Sequence, residues 1–253
     1  MTNVAVIYKK EDQLISGTAQ QVIKDLKSQG WKVNQGKAKF AVVLGGDGTI
    51  LRAARLLAKD QIPILGVHMG GVGFCAEIEL PLLNEALAKV KKGQYRLDER
   101  TMIEASVGAK KLLALNDIVI SNSGIARVIR VELTGIAEYI SDGIIFSTAT
   151  GSTAYNLSAG GPILTPESSS LIISAICPHT ISTRSIVLDQ PITAVLKRGK
   201  QAILTADGQH FVALAEGQTV KIERSKLKTN FIRFADYNFL AKVKKVFSFA
   251  ARS

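Results

Sequence analysis

Two hydrophobic periods alternate along the first hundred positions. Residues 4–8 form a short apolar run that predicts a strand. Over 15–29 the apolar residues Ile15, Ala19, Val22, Ile23 and Leu26 recur at helical spacing, and Gly30 supplies a stop. Residues 41–44 predict a second strand, 49–58 a helix, and 63–67 a third buried strand. A helix follows over 80–91, opened by Pro81 in its first turn. Strands alternating with helices imply a parallel sheet covered on both faces.

From about Tyr95 the texture changes. Segments 102–107, 111–115, 118–121, 128–133, 144–148, 194–196, 201–204 and 219–224 are short, rich in Val, Ile and Thr, and punctuated by Gly, Asn, Asp and Ser. They predict an antiparallel β domain, interrupted once by 153–157. Residues 237–249 are again helical in composition and are expected to return to the first domain. The expected organisation is an α/β N-terminal domain with a parallel sheet over 1–96, an all-β domain over 97–232, and a C-terminal segment over 233–253.

Composition adds bounds. Of 253 residues 47% are apolar and 21% charged, which suits an ordinary globular chain with a core to bury. No apolar run approaches the ~18 residues a membrane helix needs. The first residues carry no basic stretch before their apolar run, so they read as a strand and not as a leader. Cys75 and Cys177 are expected to be reduced and packed, in keeping with a cytoplasmic protein. A net charge of +11 admits nucleic acid, a membrane surface or an anionic small molecule. The basic residues are scattered and aromatics are only 6%, so stacking platforms for bases are sparse. Phosphorylated small molecules are the expected partners, with no nucleic acid and no membrane.

Four segments carry candidate chemistry. Gly45-Gly46-Asp47-Gly48-Thr49 joins a buried strand to a helix, where α/β proteins bind phosphate through close backbone N–H groups and the helix N-terminus. It is neither a P-loop nor Gly-x-Gly-x-x-Gly. A carboxylate in a phosphate cradle repels the ligand unless it handles a proton, a hydroxyl or a metal; otherwise Asp47 only caps the helix. Asn116-Asp117 reads as a turn, or as a purine and ribose contact. The stretch from Ser141-Asp142-Gly143 to Pro162 is dense in Gly, Ser and Thr between apolar flanks and reads as a binding loop. Ser152 in it is no nucleophile, since no Gly-x-Ser-x-Gly elbow surrounds it and no histidine is paired with it. Asp207-Gly208-Gln209 reads as a hairpin turn.

Together these segments resemble the NAD kinase family, in order over roughly residues 40–210. The resemblance rests on Gly45–Thr49, the run from Leu65 to Phe74, Asn116-Asp117, the block from Asp142 to Pro162, Cys177-Pro178-His179-Thr180 and Arg184-Ser185-Ile186-Val187. The glycine–aspartate turn is shared with lipid kinases and 6-phosphofructokinases; Gly151-Ser152-Thr153-Ala154-Tyr155 is more particular to NAD kinases.

The resemblance implies the two-domain NAD kinase-like fold with the site in the cleft between domains, and a homodimer or homotetramer. It implies transfer of the γ-phosphoryl group of ATP, or of polyphosphate, to the 2′-hydroxyl of the adenosine ribose of NAD, giving NADP. Asp47 is then the proton acceptor or orienter of that hydroxyl. Gly46, Gly48 and Phe74 approach the substrate, and Arg52 reaches phosphate. Asn116 and Asp117 hold adenosine. Asp142, Thr153, Ala154, Tyr155 and Ser158 shape the rest of the dinucleotide site, and Arg127, Cys177 and Gln209 match further contact positions. Mg²⁺ or another divalent cation would bridge the donor phosphates, held largely by the nucleotide itself, with no protein ligand singled out. Asp117 stands where Glu is common in the family, Ile140 where Arg is frequent, and Ala149 and Ser185 where Pro is usual.

Overall fold

The computed structural model describes residues 3–34, 36, 38–70, 73–124 and 128–250, the last four of these as backbone. The chain divides into two compact units. One comprises the residues up to Glu99 and those from Thr229 onward; the other is Arg100–Lys228.

The first unit begins with strand β1 (Asn3–Tyr8), helix α1 (Gln13–Ser28), β2 (Lys32–Val33), β3 (Phe40–Leu44), α2 (Asp47–Leu57), β4 (Ile64–His68), β5 (Ile78–Glu79) and α3 (Leu83–Lys91). The helix limits follow local chemistry. Asp12 caps α1 by accepting the Ile15 N–H at 3.1 Å, and Gly30, at φ 82°, follows its last turn. The helix expected from residue 80 starts as a 3₁₀ turn, Leu80–Leu82, with Pro81 inside it.

Strand β6 (Arg96–Val107) starts in the first unit and runs into the second, which holds β7 (Lys110–Ala114), β8 (Asp117–Asn122), β9 (Ile129–Leu133), β10 (Ala137–Ser141), β11 (Gly143–Ser147), the short helix α4 (Tyr155–Ser158), β12 (Leu171–Ile176), β13 (Ile186–Leu188), β14 (Ile192–Arg198), β15 (Ala202–Ala206) and β16 (His210–Leu214). Strand β17 (Thr219–Arg233) starts in this unit and ends in the first, and helix α5 (Phe239–Ala250) belongs to the first.

The pairs β1–β2, β1–β3, β3–β4, β4–β5 and β4–β17 are all parallel. The order is β2-β1-β3-β4; Ile64 at the start of β4 pairs with Phe231 of β17, and Val67 and His68 at its end pair with β5. All five residues of β3 are buried, as a sheet covered on both faces requires. The core joins Val4, Val42 and Leu65 of the sheet to Val22 and Leu26 of α1 and Leu87 of α3, and takes Ile232 and Phe234 from the returning chain.

In the second unit one antiparallel sheet runs β10-β9-β14-β17, and another runs β13-β12-β11-β8-β15-β16. Its core draws on both, with Val131, Ala194 and Val220 from the first and Ile120, Phe146, Ile173 and Leu204 from the second. The β reading of this part holds, broken only at the 3₁₀ turn Gly151–Thr153 and α4. Among the described residues no helix is long and apolar enough to cross a membrane.

Candidate active site

The expected site residues fall into two groups, one in each unit. In the first unit Gly45 sits at φ 147°, in the region that favours glycine, and any side chain there would strike Thr49. The chain therefore turns sharply from β3, and α2 starts at Asp47 with Gly46 as its N-cap. Gly46, Gly48 and Arg52 are exposed and Asp47 is half-buried. Five apolar residues, Ile50, Leu51, Ala53, Ala54 and Leu57, fasten α2 to its own unit.

Asp47 does not cap its own helix. Its Oδ2 accepts the backbone N–H of Phe74 at 2.9 Å and its Oδ1 that of Cys75 at 3.1 Å. Each carboxylate oxygen keeps a second lone-pair direction, since one hydrogen bond uses only one of two. Gly73 permits this contact, because a Cβ there would collide with the carboxylate. The reading of Asp47 as a helix cap gives way to that of a carboxylate gripped from outside its helix. The ring of Phe74 lies against Phe239 of α5, with centroids 6.5 Å apart.

In the second unit Asn116 and Asp117 are buried at the turn into β8. That turn is held on both sides. Asp207 accepts the N–H groups of Leu115 and Asn116 at 3.1 and 2.7 Å, and that of Asp117 at 3.4 Å. Thr148 donates its N–H to the Asn116 carbonyl at 2.9 Å and its hydroxyl to the Leu115 carbonyl at 2.6 Å. Gly151 packs where a side chain would run into the Asn116 carbonyl. The result is a rigid turn that presents two polar side chains. Asn116 Oδ1 is buried with no hydrogen-bond partner, an acceptor held ready at a cost of about 1–3 kcal/mol. Burial, and then the nearby Asp207, push the Asp117 carboxyl up to about 7.

Asp142, Tyr155 and Cys177 join Asp117 in one electrostatic neighbourhood. Burial raises the Tyr155 hydroxyl pKa, and the charges of Cys177, Asp117 and Asp142 raise it further. Thr153 and Ala154 are half-buried beside it, while Ser158, Cys177 and Gln209 are exposed. Cys177 thus departs from the packed state expected of it: it sits at φ 45° on the surface, whereas Cys75 is buried. Arg127 lies outside the described residues.

The loop through 151–162 is fixed by a residue that the sequence did not single out. Asn156 donates to the carbonyls of Ser152 and Pro162 at 3.2 and 3.0 Å and accepts from Ser174 at 2.8 Å. Ser152 is fully buried, donating to the Ala149 carbonyl at 2.6 Å and accepting the Leu164 N–H at 3.0 Å, so its hydroxyl is structural. Asp207 is the other residue missed. Asp207 and Gly208 have φ 50° and 63°, as a primed hairpin turn demands, and that local signal masked the carboxylate's distant task.

Residues 4–95 match the family model for the ATP-NAD kinase N-terminal domain, and residues 115–234 match that for the ATP-NAD kinase C-terminal domain. The chain belongs to the NAD kinase family. A NAD kinase of Lachnoclostridium phytofermentans is 40% identical over 217 residues, covering 79% of this chain and 76% of the relative. One of Clostridium botulinum strain Kyoto is 40% identical over 237 residues, covering 89% and 84%. Among solved structures, an Archaeoglobus fulgidus NAD kinase in complex with ATP has a TM-score of 0.75 at 28% identity, covering 98% of both chains. Yeast NADH kinase complexed with NADH reaches a TM-score of 0.87 at 18% identity, covering 98% of this chain and 88% of that one, and so shares the NAD kinase fold.

Proposed function

We propose that the chain transfers a phosphoryl group from ATP or polyphosphate to the 2′-hydroxyl of the adenosine ribose of NAD, with Asp47 as the group that aims and deprotonates that hydroxyl. The observation that carries the proposal is the grip on Asp47. Two backbone N–H groups fix both carboxylate oxygens and leave a lone pair on each for a hydroxyl proton. Phosphoryl transfer needs in-line placement, neutralised charge and a proton acceptor near the attacking oxygen, and little else.

In this proposal the unpartnered Asn116 Oδ1 accepts an amino N–H of adenine, which satisfies a buried acceptor. Asp117 accepts from a ribose hydroxyl, and Tyr155, Thr153, Ala154, Ser158 and Asp142 border the rest of the dinucleotide. Gly46, Gly48 and Arg52 are all exposed at this turn and border the phosphates. No cluster of three or more His, Cys, Asp or Glu side chains that could hold a metal occurs among the described residues. A divalent cation arriving with the donor would supply charge neutralisation at the transferring group. The proposal includes a homodimer or homotetramer, supported by the exposed apolar residues Ile181, Val187 and Phe211 on the second unit.

The test is NADP formation from NAD with Mg-ATP or polyphosphate. Asp47→Asn should keep the fold and NAD binding and lower kcat by about 10²–10⁴-fold. A variant with near wild-type turnover would refute the role of Asp47.

A further inference from the structure

Lys242 of α5 reaches back to the loop that grips Asp47. Its Nζ donates to the carbonyl of Phe74 at 3.1 Å and also to the carbonyl of Ala76. The Phe74 carbonyl and the Cys75 N–H belong to one planar peptide unit, so fixing one end fixes the other. At its far end that N–H donates to Asp47 Oδ1 at 3.1 Å. Ammonium, peptide and carboxylate thus form one chain, with a cation on the carbonyl side and an anion on the amide side. Each charge polarises the peptide in the sense that strengthens the other bond.

We propose that Lys242 is a positioning residue for phosphoryl transfer: it holds the Phe74–Cys75 peptide so that its N–H keeps the Asp47 carboxylate aimed. The proposal rests on the reading of Asp47 above. Docking of α5 alone does not require this arrangement. A lysine that only docked a helix would keep its charge in water, yet this one spends it on two carbonyls of the Asp47 loop.

The surroundings make the ammonium labile. Burial, and next the like charge of Arg233 on β17, lower Lys242 to about 8, against the opposing influence of Cys75, Glu77 and Asp47. Tyr237 presents its ring 5.6 Å from Nζ, and Glu85 and Lys89 of α3, with Asp236, line the cavity that Lys242 also borders. Of these, Glu85 and Lys89 are paired with each other at 2.9 Å. Above about pH 8 the ammonium is lost and the relay weakens. An arginine at 242 keeps its charge throughout.

The experiment uses the full chain, with NAD and Mg-ATP as substrates, from pH 6.5 to 9.5, and follows amide hydrogen exchange at Phe74 and Cys75. Lys242→Gln should lower kcat by about 10–100-fold with KM for NAD within about threefold. It should also speed exchange of those two amides. Lys242→Arg should restore most of kcat and abolish the alkaline fall in kcat/KM that the wild type shows near pH 8. Wild-type kcat and unchanged exchange in Lys242→Gln would overturn the proposal. So would an alkaline fall that Lys242→Arg shares, a comparison that decides the matter even if the glutamine variant does not fold. Near wild-type turnover in Asp47→Asn removes the reading of Asp47, while slow exchange retained in Lys242→Gln removes the part of Lys242 alone.

Discussion

Gly73→Ala adds one methyl group to the chain and places it against the Asp47 carboxylate. The new Cβ would lie 3.0 Å from Cγ and 3.2 Å from Oδ2, and closer still to Oδ1. Ordinary contact begins near 3.4 Å, so the carboxylate must move by several tenths of an ångström to about 1 Å. The strain falls on the side chain, and its two hydrogen bonds to Phe74 and Cys75 lengthen or break. Asp47 is half-buried and water can replace part of what is lost, so stability should fall by only about 1–2 kcal/mol. The loss of glycine's freedom in the unfolded chain returns about 0.4–1 kcal/mol of that. The melting temperature should then drop by no more than about 2–6 °C. Catalysis should suffer far more, since about 1 Å of misplacement costs on the order of 10²-fold in kcat. The assay is steady-state NADP formation at saturating NAD and ATP, with a thermal melt on the same sample. A variant with wild-type kcat would show that the position of Asp47 is not critical, and the argument from its grip would fail.

Two further outcomes follow from buried charges. The folded pKa of Asp117, about 7, lies above the ordinary 3.8, so its contribution to stability is full below pH 3.8 and lost as pH rises toward 7. Between pH 5 and 8 the wild type should lose about 3 kcal/mol more than Asp117→Asn does, and equal losses in thermal melts would contradict the assignment. Arg233 is fully buried, bonded to Glu77 at 2.9 Å and Asp98 at 3.0 Å, so Arg233→Leu takes the guanidinium from two buried carboxylates. Urea denaturation should show a loss of about 3–5 kcal/mol, and a loss under about 1 kcal/mol would mean that the pair relaxes to water.

The strand–turn–helix around Asp47 was legible because three local signals agree there: a five-residue apolar run, glycines at the turn, and apolar residues at helical spacing beyond it. The parallel sheet followed from the same alternation of periods. β17 was legible only over its first six residues, because Ser225, Lys226 and Lys228 interrupt its apolar pattern, yet the strand runs on to Arg233. The candidate site divides in the same way. Asp47 and the Asn116-Asp117 pair stand out as polar residues at the ends of apolar strands. What holds them does not, since Asp207 acts on amides 90–92 positions away and Lys242 on carbonyls 166 and 168 positions away. No short-range period records a contact of that reach. Asp207 was further disguised by sitting in a turn that its own sequence explains.

The return of the chain to its first unit has a consequence for biosynthesis. The Asp47 turn and the loop that grips it lie within the first 76 residues, but Arg233 and Lys242 are translated much later. At about 5–20 residues per second the early loop waits roughly 10–30 s for the lysine that holds its carbonyls. During that interval the whole second unit is made, as an insertion between the two parts of the first. A nascent chain thus carries the Asp47 carboxylate long before the groups that set it, and gains a finished loop only after the second unit has been made.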